Sequence, residues 1–418
     1  MKFEFIGNAS GIFHGNNGTK LLCDPWIVNG VCEGSWCHYP PLETKMEDIL
    51  DVDVVYLSHI HGDHYDERYF INFRKDIPII VLDDKYNFLI ANLERNGFTN
   101  LIPIKDSETK KVKEFDITLF SPFCKNNYFD ADIGNLIDSA MVIQNNNTTA
   151  INFNDNTPTE EACRMLRGKF EKIDLAMINY NAAGPYPSCF QNLTEAEKME
   201  ESHNILLRNY DYMVLLANEL QPSYVLPFAG AYVLGGKFFY KNKYLGAGTW
   251  DECKEYISDK VDKSIEVICL REKDIFNLST GMANNVYVPI DKAHMKNYIE
   301  NEISQLTYPY EKDAEPNLEL LFQDINKAVI AMKQRLDKFG IKLNTTISLK
   351  INGEEVLIYS PSASNQKLLC QLDNRLLKRI VNRKAFWNNA ESGGHIDFVR
   401  TPNLYEFDAH TALQFFHM

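Results

Sequence analysis

The chain has 418 residues, 45% hydrophobic, 12% aromatic and 24% charged, with a formal net charge of −14. That length exceeds one typical core, so the composition predicts a folded protein with one large domain and a smaller one. The acidic balance excludes a general nucleic-acid or anionic-membrane binder, because those need clustered Lys and Arg, although a local basic pocket for a phosphate stays compatible with it.

The nine cysteines are an odd number scattered over a long chain and read as reduced thiols rather than a disulfide scaffold. The start MKFEFIGNAS has no charged leader or apolar core, and no run of about 18 apolar residues occurs. The expectation is a cytoplasmic protein with no membrane partner.

In chain order, KFEFIG, GIFHG and KLLCDP predict a β-hairpin start around the turn signal NNG. The Gly- and Pro-rich stretch WIVNGVCEGSWCHYPPLE is long enough to be a functional loop. DVDVVYLS predicts a buried strand that ends at the loop HIHGDHYDERY. Strands then alternate with helical segments: IPIIVLD, a helix over YNFLIANLERNG, a strand near ITLFSP, a hairpin over AMVIQNNNTTAINFND, a helix over PTEEACRMLRGK, and the buried strand IDLAMINY. A long helix follows over EAEKMEESHNILLRNYDYMVLLANEL, closing on QPSYVLPFAG. This alternation predicts two sheets sandwiched between helices. From about residue 315 the pattern changes. NLELLFQDINKAVIAMKQRLDKFG is an amphipathic helix, LNTTISLKI and VLIYSPS form a β-pair, and LCQLDNRLLKRIVNRKAFW reads as helical. The expected domains are 1–314, which carries the histidine loop, and 315–418, a smaller α+β unit.

His59, His61, Asp63 and His64 give the pattern H-x-H-x-D-H at a strand end. A tight loop there turns His59 and His61 to one metal while Asp63 and His64 address a second, and imidazoles with carboxylates at this spacing suit Zn, Fe or Mn. His203 reads as a helix-surface residue, and His395 in SGGHIDF is the first of the late histidines to place.

The loop, after an N-terminal hairpin and LLCDPW, resembles the metallo-β-lactamase superfamily, whose fold has four αββα layers. Further segments, DPWIVNGVCEGSWCHYPP, DLAMINYNAAGPYPSCF and LQPSYVLPFAGAYV, are similar to those of the CMP-N-acetylneuraminate hydroxylase group. The residues from Leu372 to Asn403 are similar to that group too. The resemblance implies that Asp24 supports the site and that Asp155 bridges two metals. For Asp155 the competing reading is a helix cap, because NDNTPTEE also looks like a loop entering a helix.

Two departures from the resemblance matter. The hydroxylase carries a Rieske iron–sulfur domain, and no C-x-H or C-x-x-H pair occurs here, so an oxygenase of this build is expected to take electrons from a separate protein. No histidine lies between His64 and His203 either, which leaves the third ligand of the first metal to a carboxylate such as Asp130 or Asp132, an amide or water. For the two divalent metal ions expected, harder ligands favour iron or manganese over zinc, and the resemblance, whose iron-containing branches can carry a carboxylate at the third-histidine position, implies iron.

Asp63 and His64 are also the candidate catalytic residues. The candidate substrate contacts are Trp36, Tyr180, Asn181, Gly184, Phe228 and Tyr232, on loops over 36–41, 179–187 and 228–232, with Gly184 and Gly230 allowing close backbone approach. Three readings stay open. One is an oxygen-activating di-iron hydroxylase acting on a nucleotide-linked sugar or related small metabolite. A second is a hydrolase of the lactonase or phosphodiesterase kind, in which Asp63 orients a metal-activated water. The third is a non-catalytic protein with a degenerate metal site.

Overall fold

The structure is a computed structural model that describes residues 1–84, 87–124, 138–362 and 364–418. Two sheets face each other. The first orders its strands Met282–Ala283, Ile275–Asn277, Lys2–Gly7, Ser10–His14, Lys20–Cys23, Val54–Tyr56, Ile79–Leu82 and Leu101–Ile104. The second runs Glu266–Val267, Tyr224–Phe228, Leu175–Asn179, Thr148–Asn152, Ala140–Asn145, Phe115–Phe120 and Thr109–Val112.

Alternation along the strands decides what each face buries. Phe3, Phe5, Leu21 and Tyr56 of the first sheet meet Ile117, Met141, Leu175 and Leu226 of the second in one core. The opposite face of the first sheet, with Leu22, Val55 and Ile79, is covered by Ile49, Phe70, Leu89 and Leu93 from its helices. Val142, Ile151, Ala176 and Val225 of the second are covered by Leu166, Met213, Leu216 and Cys253. The order is therefore helix, sheet, sheet, helix, as expected from sequence. Strands such as Val54–Tyr56 are buried on both faces, which is why they read as continuous apolar runs.

Toward the C-terminus, helix Leu318–Phe339 packs on a four-stranded sheet ordered Glu354–Tyr359, Thr345–Ile351, Gln366–Gln371 and Asp397–Thr401. One expectation needs correction: LCQLDNRLLKRIVNRKAFW is not all helix. Its first residues complete strand Gln366–Gln371, because Leu368 and Cys370 alternate inward, and helix Asn374–Val381 starts only at the Asp373 cap. Trp387, Phe415 and Phe416 fill this core, whereas Phe386 is exposed. The core also takes in Cys189, Phe190, Tyr308 and Tyr310. The chain at 189–191 pairs with the edge strand: Phe398 N–H donates to Cys189 O at 2.9 Å and Gln191 N–H to Phe398 O at 2.8 Å. Among the described residues, no helix is long and apolar enough to cross a membrane.

Candidate metal centre

Parallel pairing brings the ends of distant strands side by side. Cys23 is in register with Tyr56, so Asp24, one residue on, and Ser58, two residues on, meet: Ser58 N–H donates to Asp24 Oδ1 at 2.8 Å and Ser58 Oγ to Asp24 Oδ2 at 2.7 Å. In the facing sheet Asn152 is in register with Met177, which places Asp155 beside Asn179, whose Nδ2 donates to Asp155 Oδ1 at 3.3 Å. Asn179 is in register with Phe228, and two residues on Asn181 Nδ2 donates to Gly230 O at 2.8 Å. The carboxyl ends of parallel strands are the usual binding edge of an open α/β sheet.

The histidine loop is fixed between these ends. His64 and Tyr65 both donate their backbone N–H to His61 O, and Asp66 caps helix Glu67–Phe70 while holding Arg68 through two bonds. His59 and His64 are buried, as is Asp63, and His61 is half-buried.

Two groups of ligand atoms result, one of His59, His61 and Asp138, the other of His59, His64 and Asp155. His59 Nε2 lies 2.8 Å from His61 Nδ1 and 3.5 Å from an Asp138 carboxylate oxygen. Two nitrogens about 2.0–2.1 Å from one ion and at right angles would be about 2.9 Å apart, so the His59–His61 spacing fits a shared cation. Asp155 turns one oxygen to each side: Oδ2 is 3.8 Å from His59 Nε2 and Oδ1 is 3.6 Å from His64 Nε2. Asp63 Oδ2 stands 3.4 Å from His64 Nε2.

The donor chemistry fits metal. His64 Nδ1 is bonded to Asp24 Oδ2 at 3.0 Å, which sets the proton on Nδ1, while His64 Nε2 is buried without a hydrogen-bond partner among the described residues. An imidazole anchored by a carboxylate through one nitrogen, with a bare second nitrogen, is the usual arrangement of a metal-ligating histidine. Burial, followed by the neighbouring histidines, pushes His59 well below its ordinary pKa, and burial also lowers His61. Burial works the same way on His64, but Asp63, Asp155 and Asp24 outweigh it and hold that ring well above its ordinary value. Three carboxylates thus face this ring, and a cation there would satisfy them.

This is the metallo-β-lactamase fold. Its two sheets carry an H-x-H-x-D-H loop at the strand ends, with Asp155 placed between the two histidine groups. No protein-family model matches the chain. It is 30% identical over 204 residues to a "Putative Rieske 2Fe-2S iron-sulfur protein" of Mycolicibacterium smegmatis, covering 47% of this chain and 38% of that one. It is 23% identical over 313 residues to the cytidine monophosphate-N-acetylneuraminic acid hydroxylase of Gorilla gorilla gorilla, covering 72% of this chain and 48% of the relative. The human counterpart, named as inactive, matches at the same identity and is covered to 58%. The chain therefore spans between 38% and 58% of the length of these relatives. A solved structure, a possible metal-dependent hydrolase from Veillonella parvula, superposes with a TM-score of 0.48 at 14% identity, over 66% of this chain and 98% of that one.

Asp138 was not singled out from the sequence. It is a carboxylate two residues ahead of strand Ala140–Asn145, whereas the sequence pointed to Asp130 or Asp132, which lie outside the described residues. Asn388 is the second unforeseen residue. Its side-chain amide lies 2.9 Å from His61 Nε2, 327 positions away in sequence. If His61 Nδ1 faces a cation, Nε2 carries the proton and the amide presents its oxygen. Asn388→Ala is accordingly expected to weaken metal binding at the His61 group by about tenfold, with little change in thermal stability, as a metal titration would read.

The predicted substrate residues divide. Trp36 and Tyr232 stack at 3.8 Å and 7° near the site, with Trp36 Nε1 donating to Ser392 O at 3.1 Å. Tyr180 is buried, its hydroxyl without a partner among the described residues. Asn181 is occupied in tying loops, since it also donates to Gly248 O at 2.8 Å. Gly230 allows close approach, but to Asn181 and Tyr180, because a Cβ there would meet the Asn181 Cβ at 3.0 Å. Gly184 faces open space.

Phe228 is corrected to a core residue. It packs against Phe3 and Phe5 between the sheets because it falls on the inward phase of strand Tyr224–Phe228. His203 is exposed on its helix. His395 is buried away from the cluster, bonded to Tyr310 Oη at 3.1 Å and Cys32 O at 3.0 Å, which ties the two parts of the chain together.

Proposed function

We propose that this protein is a di-iron, oxygen-activating hydroxylase that acts on a nucleotide-linked sugar or a related small metabolite and takes electrons from a separate protein. The observation that carries this reading is Asp138, a carboxylate beside His59 and His61. With it the site offers three imidazoles and three carboxylates, a hard mixed set that suits iron or manganese better than zinc. The hydroxylase relatives, and the iron–sulfur protein among the matches, support the choice of an oxidative chemistry and of an electron-transfer partner.

In this reading His59, His61 and Asp138 hold one ion and His64 with Asp63 the other, while Asp155 spans both. Bound iron would supply the activation of oxygen. The chain itself supplies the placement: Asp24 keeps the His64 proton on Nδ1, Asn179 steadies the Asp155 carboxylate, and Asn8 Nδ2 donates to Asp63 Oδ2 at 3.3 Å. Holding these groups ahead of reaction spares reorganisation when charge develops.

The test is metal content per chain, by mass spectrometry, on protein purified without oxygen and without added metal, followed by turnover with and without oxygen and a reductant. About two irons per chain and an absolute need for both are expected. Zinc or manganese with hydrolysis independent of reductant would transfer the site to a hydrolase using metal-activated water. A metal-free chain would leave a non-catalytic protein.

A further inference from the structure

A buried donor without an acceptor is costly, and its presence calls for a ligand. Arg271 is half-buried, and its Nη1 is buried without a hydrogen-bond partner among the described residues. Its backbone is fixed, with Arg271 N–H donating to Asp274 Oδ2 at 2.8 Å. His38 is 3% exposed, lies against Trp26 with ring centroids 3.8 Å apart, and has an Nε2 without a hydrogen-bond partner among the described residues. Burial pushes its pKa down to about 3, so the ring is neutral and offers one N–H.

Both side chains line one cavity of about 310 Å³. The carboxylates at that cavity are engaged elsewhere: Glu272 accepts the backbone N–H groups of Glu43 and Thr44, and Glu43 pairs with Lys273 at 3.2 Å.

The cavity adjoins the metal centre through Asn8, which lines it and bonds Asp63. Tyr39, Ala231 and Trp250 also line a second cavity of about 600 Å³, whose lining residues Tyr180 and Tyr232 have buried hydroxyls without partners among the described residues. The first cavity offers a guanidinium and an imidazole N–H; the second offers aromatic walls.

We propose that Arg271 and His38 form the oxyanion-binding end of a small-molecule site beside Asp63, for a carboxylate or phosphate monoester whose apolar or ring-bearing body lies toward Tyr39 and Trp250. A guanidinium bond to an oxyanion is charge-assisted and among the stronger polar contacts. The inference deepens the functional reading above, since it names the class of molecule that the metal centre would act on.

The experiment is calorimetric titration of the full chain with 4-bromobenzoate and 4-bromophenyl phosphate, with 4-bromobenzyl alcohol as the neutral control. Saturable binding of at least one anion is expected, weakened tenfold or more, roughly 1.4 kcal/mol, by Arg271→Met and less by Arg271→Lys. Binding should survive removal of metal by a chelator. Bromine anomalous scattering from soaked crystals should place the acid group against Arg271, which decides the matter even if Arg271→Met does not fold.

Anion binding that vanishes on chelation yet ignores Arg271→Met would put the anion on the metals and overturn the site while leaving the metal centre intact. Binding of neither anion, or equal binding of the alcohol, overturns it as well. A chain that holds no metal but binds anions through Arg271 upholds the site and removes the proposed function.

Discussion

His61→Ala is expected to empty the His59–His61–Asp138 group of metal and abolish turnover while leaving the fold in place. His61 is half-buried on a loop, and among the described residues its ring bonds to His59 and Asn388, so truncation opens no core cavity. Substituting residues that merely support a metal ligand typically costs 10–100-fold in affinity, so loss of a ligand should cost more than about 100-fold. Two measurements check this: metal content by mass spectrometry, and thermal unfolding with and without a chelator. With the chelator, wild type and variant should unfold within a few degrees of each other. Without it, only wild type should gain the stabilisation that comes from binding a metal in the folded state alone. A variant with normal metal content and normal activity would remove both enzymatic readings of this chain.

The same residues explain why part of the centre could be read from sequence. His59, His61, Asp63 and His64 sit within six positions on one turn, and local spacing fixes their relation before any tertiary contact forms. Asp155 has no such signature, and the resemblance alone pointed to it; the structure sets it between the two histidine groups. Asp138 and Asn388 carry no local pattern. They reach the site only because strand Ala140–Asn145 pairs within the second sheet and because the segment after Phe386 packs back on the first part of the chain.

Periodicity located the buried strands and the long helices well, since a strand apolar on both faces or a helix with one apolar stripe leaves a strong trace. It failed at Phe228, where an aromatic residue at a strand end looks the same whether it turns to a ligand or to the core. Arg271 and His38 were invisible for a related reason: an unpaired buried polar atom is defined by what fails to surround it, and only coordinates show that.

Asp24→Asn is expected to separate the two ligand groups. Asp24 is fully buried and accepts three bonds, from the Ser58 N–H, the Ser58 hydroxyl and His64 Nδ1. Burial raises its carboxyl pKa, and the bonds from His64 and Ser58 oppose that rise. Alanine would strand these donors in a dry interior at a cost of about 3–5 kcal/mol, which confuses unfolding with loss of metal. Asparagine keeps the shape and one acceptor, so the cost in stability should stay near 1–3 kcal/mol. Its neutral amide, however, no longer holds the His64 proton on Nδ1. The imidazole is then free to protonate Nε2, the nitrogen that faces Asp63 and Asp155, and a protonated nitrogen cannot ligate. The His64 group should lose about 10–100-fold in metal affinity. The His61 group does not touch Asp24 and should keep its ion. Mass spectrometry at a free-metal concentration just sufficient to fill both wild-type groups should therefore show occupancy falling from about two ions per chain to about one. Two ions retained in Asp24→Asn, with unchanged affinity, would mean that the Ser58 hydroxyl, 3.2 Å from His64 Nδ1, orients the ring without the carboxylate behind it.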